Sequence, residues 1–262
     1  MRVWAAALLL AGCAQPQARG PVDGPTIVSL NPCSDAILAQ VTAPGQLLAI
    51  SHYSHDPAAT SMPLDQARAY PATGGTVEEV LALNPDVVVA SSFLPPATAE
   101  AFTRLGIRVE TLGVATSVEQ SADQVRQLAQ VAGHADKGAA LLRRIDAAWD
   151  RAAYSGPPTA TLLWQQGGIV PGPDSLIAQL LAHSGFALHS AARGLGQGAY
   201  LPLEHVLADP PALLLAAADE PLLHHPALTQ VPGLRREVFD PALVYCGGPS
   251  IIPALDRLGE LR

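Results

Sequence analysis

The chain has 262 residues, 49% of them hydrophobic, 15% charged and only three cysteine, which excludes a disulfide-dense mini-protein, a disordered tail and a coiled coil. Formal charge is −8, and a single lysine, Lys137, stands among the 15 basic residues, so the chain lacks the cationic field that a nucleic-acid backbone demands. The apolar share suffices for one large or two modest lobes, and with aromatics at 5% their cores are mostly Ala, Leu and Val.

Residues 1–12 read as an export signal. Arg2 supplies the positive start, and the apolar run from Val3 to Ala11 is too short to cross a bilayer, which takes about 20 residues. The run ends in Leu10-Ala11-Gly12-Cys13, which resembles the bacterial lipobox and implies that Cys13 is diacylated and becomes the new N-terminus. The alternative is an ordinary secretory signal that leaves Cys13 discarded or free. Two acyl chains would anchor the protein firmly, since each buried CH₂ contributes about 0.8 kcal/mol. Residues 13–25, rich in Pro, Gly and Gln, then form a flexible tether.

From Thr26 short aliphatic runs alternate with amphipathic stretches. Thr26 to Leu30, Leu47 to Ser51 and Asp86 to Ala90 read as strands, with helices expected over Asp35 to Val41 and Val77 to Leu83. Such βα alternation builds a parallel sheet, and parallel sheets bind ligands beyond the carboxyl ends of their strands.

An internal echo divides the chain. EEVLALNPDVVVA at 78–90 returns as EHVLADPPALLLA at 204–216, an offset of 126 residues, and TIVSLNPCSDAILAQV at 26–41 is loosely echoed by TLLWQQGG at 161–168 and SLIAQLLAHSG at 175–185. The reading is two α/β lobes of similar plan, hence a cleft between them. Between the copies lies a helical stretch from about Ser117 to Ala153. Thr116-x-x-Glu119 and Ser117-x-x-Gln120 both fit a capping box at its start, and Gly133-His134 breaks it. The second part, at 1.5 Å per residue, is about 28 Å long, the span of a strut. The boundaries expected are a first lobe over 26–134, a connecting helix over 135–156 and a second lobe over 157–262.

An export signal followed by TIVSLNP, GGTVEEVLALNPDVVVA, LGIRVETLG, a long helix and PLEHVLADPP resembles the substrate-binding proteins of the cobalamin and ferric-siderophore ABC importers, from about Thr26 to the C-terminus. The resemblance implies two Rossmann-like lobes joined by one rigid helix, a metal chelate in the cleft with little lobe closure, and delivery to an ABC permease dimer with its ATPase subunits. It also implies that one glutamate per lobe docks on permease arginines; by motif position these are Glu78 and Glu204. On the residues alone, each also fits a first helical turn, where a negative charge meets the helix dipole, and Thr76-x-x-Glu79 is a capping box. The implied protein is a periplasmic, membrane-anchored lipoprotein and not an enzyme; it carries no cofactor of its own, and its ligand is a corrinoid or a ferric chelate.

Strand-end loops supply the candidate ligand contacts: Asn31, Cys33, His52, Tyr53, His55 and Phe93 in the first lobe, and Trp164, Gln165, Arg193, Tyr200, Tyr245 and Cys246 in the second. Aromatics mixed with amides suit a large, flat, partly polar ligand. Many members of the family carry P-S-x-T-E where this chain has Pro32-Cys33-Ser34-Asp35-Ala36. Arginines suited to an anionic siderophore are few, chiefly Arg68 and Arg193, which tilts the reading towards a corrinoid or a less charged chelate. His52-x-x-His55-Asp56 offers His52, Tyr53 or His55 as axial or bare-metal ligands, or the histidines as ordinary solvated or hydrogen-bonded ones, and His224-His225 reads as surface. Cys33 and Cys246 stand open between an interlobe disulfide, reduced thiols touching the ligand, and simple burial.

Two rivals remain at this level. A chelatase-like enzyme would need a GxGxxG, a GxSxG, a P-loop, a CxxC or a strand-end carboxylate pair, and none is found. A bare zinc or manganese carrier would need three or four ligands converging from both lobes. Sequence does not choose among cobalamin, cobinamide, ferric siderophore and haem.

Overall fold

The computed structural model describes residues 22–262, so the export signal and Cys13 lie outside the described residues. The first lobe runs β1 (Ile27–Ser29), α1 (Pro32–Val41), β2 (Leu47–Ser51), α2 (Leu64–Ala67), β3 (Ala72–Thr73), α3 (Val77–Leu83), β4 (Val87–Ser91), α4 (Pro96–Arg104) and β5 (Arg108–Leu112). Two helices follow, α5 (Val118–Ala132) and α6 (Ala135–Ala152). The second lobe runs β6 (Thr159–Trp164), β7 (Ile169–Val170), α7 (Leu176–His183), β8 (Phe186–Leu188), α8 (His189–Ala192), β9 (Ala199–Tyr200), α9 (Leu203–Ala208), β10 (Leu213–Ala216), α10 (Pro226–Thr229), β11 (Arg235–Val238) and α11 (Ile251–Glu260).

Each lobe holds one wholly parallel sheet, ordered β3-β2-β1-β4-β5 in the first and β8-β6-β10-β11 in the second. The repeat in the sequence is therefore a repeat of topology. The motif pair forms α3–β4 and α9–β10, and the looser upstream echo places β1–α1–β2 against β6–α7–β8. The second sheet lacks a partner for β3; its extra element is the antiparallel β7–β9 pair.

Ser117 is the N-cap of α5, its hydroxyl accepting from the Gln120 amide at 3.1 Å, while the Gln120 side chain turns back to the Thr116 N–H at 2.9 Å. Gly133 ends α5 in the left-handed conformation, and α6 folds back against it. The two backbones approach closely at Gly138, where a Cβ would lie 2.4 Å from that of Ala129. The 18 residues of α6 span about 27 Å at 1.5 Å per residue. Its apolar face packs on α1 of the first lobe and on α11.

One core cluster is consequently shared by both lobes. It contains Ile27 and Ile37 from the first, Val125, Leu141 and Ile145 from the helix pair, and Leu163, Leu180 and Leu215 from the second, with Leu255 and Leu258 of α11. Two further clusters are private, around Val88 and Phe102 in the first lobe and around Leu162 and Leu214 in the second. Among the described residues no helix is long and apolar enough to cross a membrane.

Candidate functional site

In both sheets the loops at the strand carboxyl ends converge on the gap between the lobes, where they enclose three adjoining chambers. One, of about 680 Å³, lies on the second-lobe side and is bordered by Trp164, Gln165, Gln166, Asp219, Glu220, Phe239 and Tyr245, with Ala58 reaching over from the first lobe. A second, of about 550 Å³, is bordered by Asn31, Cys33, Ser91, Phe93, Gln124, Tyr245 and Cys246. The third, about 680 Å³, lies between Val114, Ala115, Gln165, Asp174, Gln197 and Tyr245. Tyr245 borders all three. All three are open to bulk solvent, and these volumes include that open space.

The lining has a consistent chemistry. Of the large apolar side chains that water reaches at the strand ends, Phe93 after β4, Val114 after β5 and Tyr245 after β11 border the chambers, with Phe93 78% exposed, while Tyr53 after β2 and Tyr200 on β9 lie outside all three. The Tyr200 ring lies against Gly168, next to the indole of Trp164, where a Cβ on the glycine would sit 2.6 Å from the ring. Polar lining is supplied by the amides of Asn31, Gln124, Gln165, Gln166 and Gln197 and the carboxylates of Asp174, Asp219 and Glu220. The side chains of Gln165 and Gln166 make no hydrogen bond among the described residues, so both are open to a ligand. No lysine or arginine borders any of the three chambers.

Cys33 and Cys246 form a disulfide, with their Cα atoms 5.1 Å apart. It joins the first turn of α1 to the loop that follows β11, and both cysteines border the cleft. Of the alternatives the sequence left open, the covalent bridge between opposite sides of the cleft is the one found.

Three of the residues expected at the ligand are engaged elsewhere. Arg193 pairs with the Asp209 carboxylate and donates to the carbonyls of His189 and Asp209, at 3.0 and 3.2 Å. Asp209 closes the C-terminal end of α9, and in a parallel α/β lobe that end lies opposite the cleft. His55 turns its Nε2 to the carbonyls of Ala67 and Tyr70, at 3.1 and 3.2 Å, so that nitrogen is committed to backbone. His52 rests its Nδ1 3.3 Å from the Thr73 carbonyl and lies against Tyr53, with ring centroids 4.1 Å apart, beside the edge strand β3 and outside the three chambers. Arg68 is exposed at the end of α2 and borders none of them. Among the described residues no three His, Cys, Asp or Glu side chains gather as a metal site would require. Asp219 and Glu220 follow β10 after two alanines and border the cleft, so the strand-end carboxylate pair that the sequence reading found absent is present there, in the kind of loop that singled out Gln165.

Glu78 and Glu204 occupy matching places, in the first turns of α3 and α9. In each lobe these helices run against the strands they precede, which puts both glutamates on the face where the cleft opens. In α3 capping falls to neighbours, whereas α9 begins after Pro202 with no side-chain cap. Thr76 accepts from the Glu79 amide at 3.2 Å, and the Thr73 hydroxyl donates to the Glu79 carboxylate at 3.0 Å, which holds that carboxyl below its ordinary range. Glu78 and Glu204 are exposed and form no ion pair among the described residues.

Beneath the cleft floor lies a buried carboxyl. Asp35, in the first turn of α1, is inaccessible to solvent; its Oδ2 accepts from the Ser54 hydroxyl at 2.6 Å and the Ser51 N–H at 3.0 Å, and its Oδ1 has no partner among the described residues. Burial pushes its pKa up to about 8, against the opposing pull of the serine donors. Through Ser51 and Ser54 it fixes the turn that presents His52 and Tyr53.

The family model described as periplasmic binding protein matches residues 27–235. Among curated proteins none matches the chain in sequence. The solved structures it resembles include the periplasmic haem-binding protein RhuT from Roseiflexus sp. RS-1, with TM-score 0.72 and 20% identity over 91% of this chain and 99% of that one. The haem-binding protein HutB of Vibrio cholerae gives 0.71 and 19%, covering 90% and 98%. The vitamin B12-binding protein BtuF of Vibrio cholerae gives 0.68 and 17%, covering 92% and 97%. All three share the two-lobed fold.

The environment of Asp35 makes stability depend on pH. Between about pH 4 and 8 the native state holds a proton that the unfolded chain has released, so stability falls as pH rises through that window, by up to about 1.4 kcal/mol per unit, and levels off above it. Asp35→Asn removes that slope: urea unfolding at pH 5 and pH 9 gives a variant more stable than the parent at pH 9, the gap closing towards pH 5. Curves that stay parallel would contradict the assignment.

Proposed function

The chain belongs to the periplasmic binding protein family, whose members are carriers and not enzymes, and from that premise we propose that it is the substrate-binding lipoprotein of an ABC importer, capturing a corrinoid in the interlobe cleft. The observation that carries this reading is the lining: exposed aromatics, free amides and carboxylates, with no basic side chain. A corrin ring is broad and flat, bears neutral amides around its edge and surrounds a cobalt cation. Aromatic faces give it contact area, Gln165 and Gln166 give it hydrogen bonds, and Asp174, Asp219 and Glu220 set a negative potential that suits a neutral or cationic ligand. Haem carries two carboxylates and a ferric triscatecholate carries net negative charge, so either would meet those acids with no cation to offset them. The bare zinc or manganese alternative lacks a set of converging ligands among the described residues.

Delivery follows from the two exposed glutamates. Glu78 and Glu204, one on each lobe and both on the face of the cleft mouth, form a two-point ruler for a symmetric permease dimer, and paired charges of this kind steer and orient an encounter more than they tighten it. Diacylation at Cys13 keeps the protein at the membrane, with residues 13–25 as its tether.

Thermal shift and absorption titrations of the mature protein with cyanocobalamin, cobinamide, hemin and a ferric triscatecholate test the ligand. The corrinoids raise the melting temperature and perturb the corrin bands, with about 2.7 kcal/mol of added stability at a hundredfold excess over Kd; a response to the anionic chelates alone would overturn the reading. Glu78→Arg combined with Glu204→Arg leaves those titrations unchanged and abolishes uptake in cells, whereas undiminished uptake would refute the docking role.

A further inference from the structure

The loop at the centre of the cleft has few polar anchors besides its disulfide, although Leu243 and Val244 pack on the shared core and Cys246, Gly247 and Gly248 are buried. After the turn at Pro241–Leu243, the amides of Tyr245, Cys246 and Gly247 donate no hydrogen bond among the described residues, and the chain regains polar anchors where the Gly248 N–H meets the Ser121 hydroxyl at 2.6 Å and the Ser250 hydroxyl meets the carbonyls of Cys246 and Gly247 at 2.7 and 3.1 Å. The Tyr245 phenol has no hydrogen bond either, yet its ring borders all three chambers and is 49% exposed. On the other side of the bridge, Cys33 sits in a rigid setting: its N–H is capped by Asn31 at 2.8 Å, and α1 behind it is packed into the shared core. A residue placed centrally but held by no polar contact of its own takes its position from its neighbours, here Val244, packed on the shared core, and Cys246, covalently tied to the first turn of α1.

We propose that the Cys33–Cys246 disulfide is the positioning element of the binding cleft, holding Tyr245 at the junction of the chambers so that its ring meets the ligand already ordered. The proposal rests on the reading that this cleft is the ligand site and is indifferent to which chelate occupies it. Pre-ordering a contact removes an entropic cost from binding, so the bridge acts on affinity through Tyr245 as well as on global stability.

Removing both cysteines together, Cys33→Ala with Cys246→Ala, leaves no stray thiol. In the ligand-free protein, hydrogen exchange over 241–248 accelerates while the strands β6 and β10 keep their protection; unchanged exchange over that loop overturns the proposal. With cyanocobalamin as probe, the double variant loses about tenfold or more in affinity. A double-mutant cycle against Tyr245→Ala separates positioning from bulk stabilisation: Tyr245→Ala costs affinity when the bridge is present and little further when it is absent. Additive losses, or an unaltered Kd beside a lowered melting temperature, would make the bridge a stability staple only and overturn the proposal. If the double variant does not fold, the exchange comparison is made on the native protein before and after reduction by a phosphine. A wild-type protein that ignores cyanocobalamin but shows the exchange difference refutes the ligand reading and leaves the positioning role standing.

Discussion

The shared apolar core along α1, α5, α6 and α11 is the constraint on which the rest of the molecule depends. Two lobes joined by a bare linker would move freely, since interfaces between domains are small and polar by default. Here residues of both sheets pack into one cluster with the helix pair, and separating the lobes would expose Leu141, Ile145 and Leu255 to water. At about 25 cal/mol per Å² of apolar surface, such opening is costly. The cleft is therefore built before any ligand arrives, and its walls stand at a fixed distance.

A cleft of fixed width shifts the work of recognition to its lining. Where a shared core resists closure over the ligand, the proposed selectivity comes from shape and from the sign of the charges at the walls. In the proposed reading, amides and carboxylates without a counterbalancing cation disfavour anions and accept neutral or cationic rings. The same rigidity serves the proposed docking: two carboxylates can mark a register only if the distance between them does not vary, and α3 and α9 are packed through Val80 and Val206 into the private core of each lobe, whose sheets also contribute to the common one. The disulfide belongs to this economy of motion, because it fastens a cleft segment, Tyr245 to Gly247, whose amides donate no hydrogen bond among the described residues.

Much of the architecture was legible in the sequence because it is written twice. The recurrence of a Glu-x-Val-Leu-Ala helix before an aliphatic strand marked equivalent units, and the sheets place β4 and β10 at equivalent positions. Strand-end logic likewise put Asn31, Phe93, Trp164, Gln165 and Tyr245 at the cleft, since where a parallel strand ends follows from the local pattern. What escaped depends on distant partners. Arg193 looked like a cleft cation in a glycine-rich loop, but its loop turns beneath the sheet, where Asp209 and two carbonyls claim it. His55 looked like half of a metal motif until backbone carbonyls of the segment after it took its ring nitrogen. The approach of Cys33 to Cys246 and the burial of Asp35 are tertiary facts that no local pattern carries.

The most direct test of a preformed, corrinoid-binding cleft is a crystal structure of the protein soaked with cobinamide, with the cobalt located by its anomalous scattering. The account predicts one cobalt position between the lobes, within ring contact of Tyr245 and close to Gln165, and lobes that superpose on the unliganded arrangement as one rigid body. A cobalt site outside the cleft, or lobes that swing together around the ligand, would contradict it.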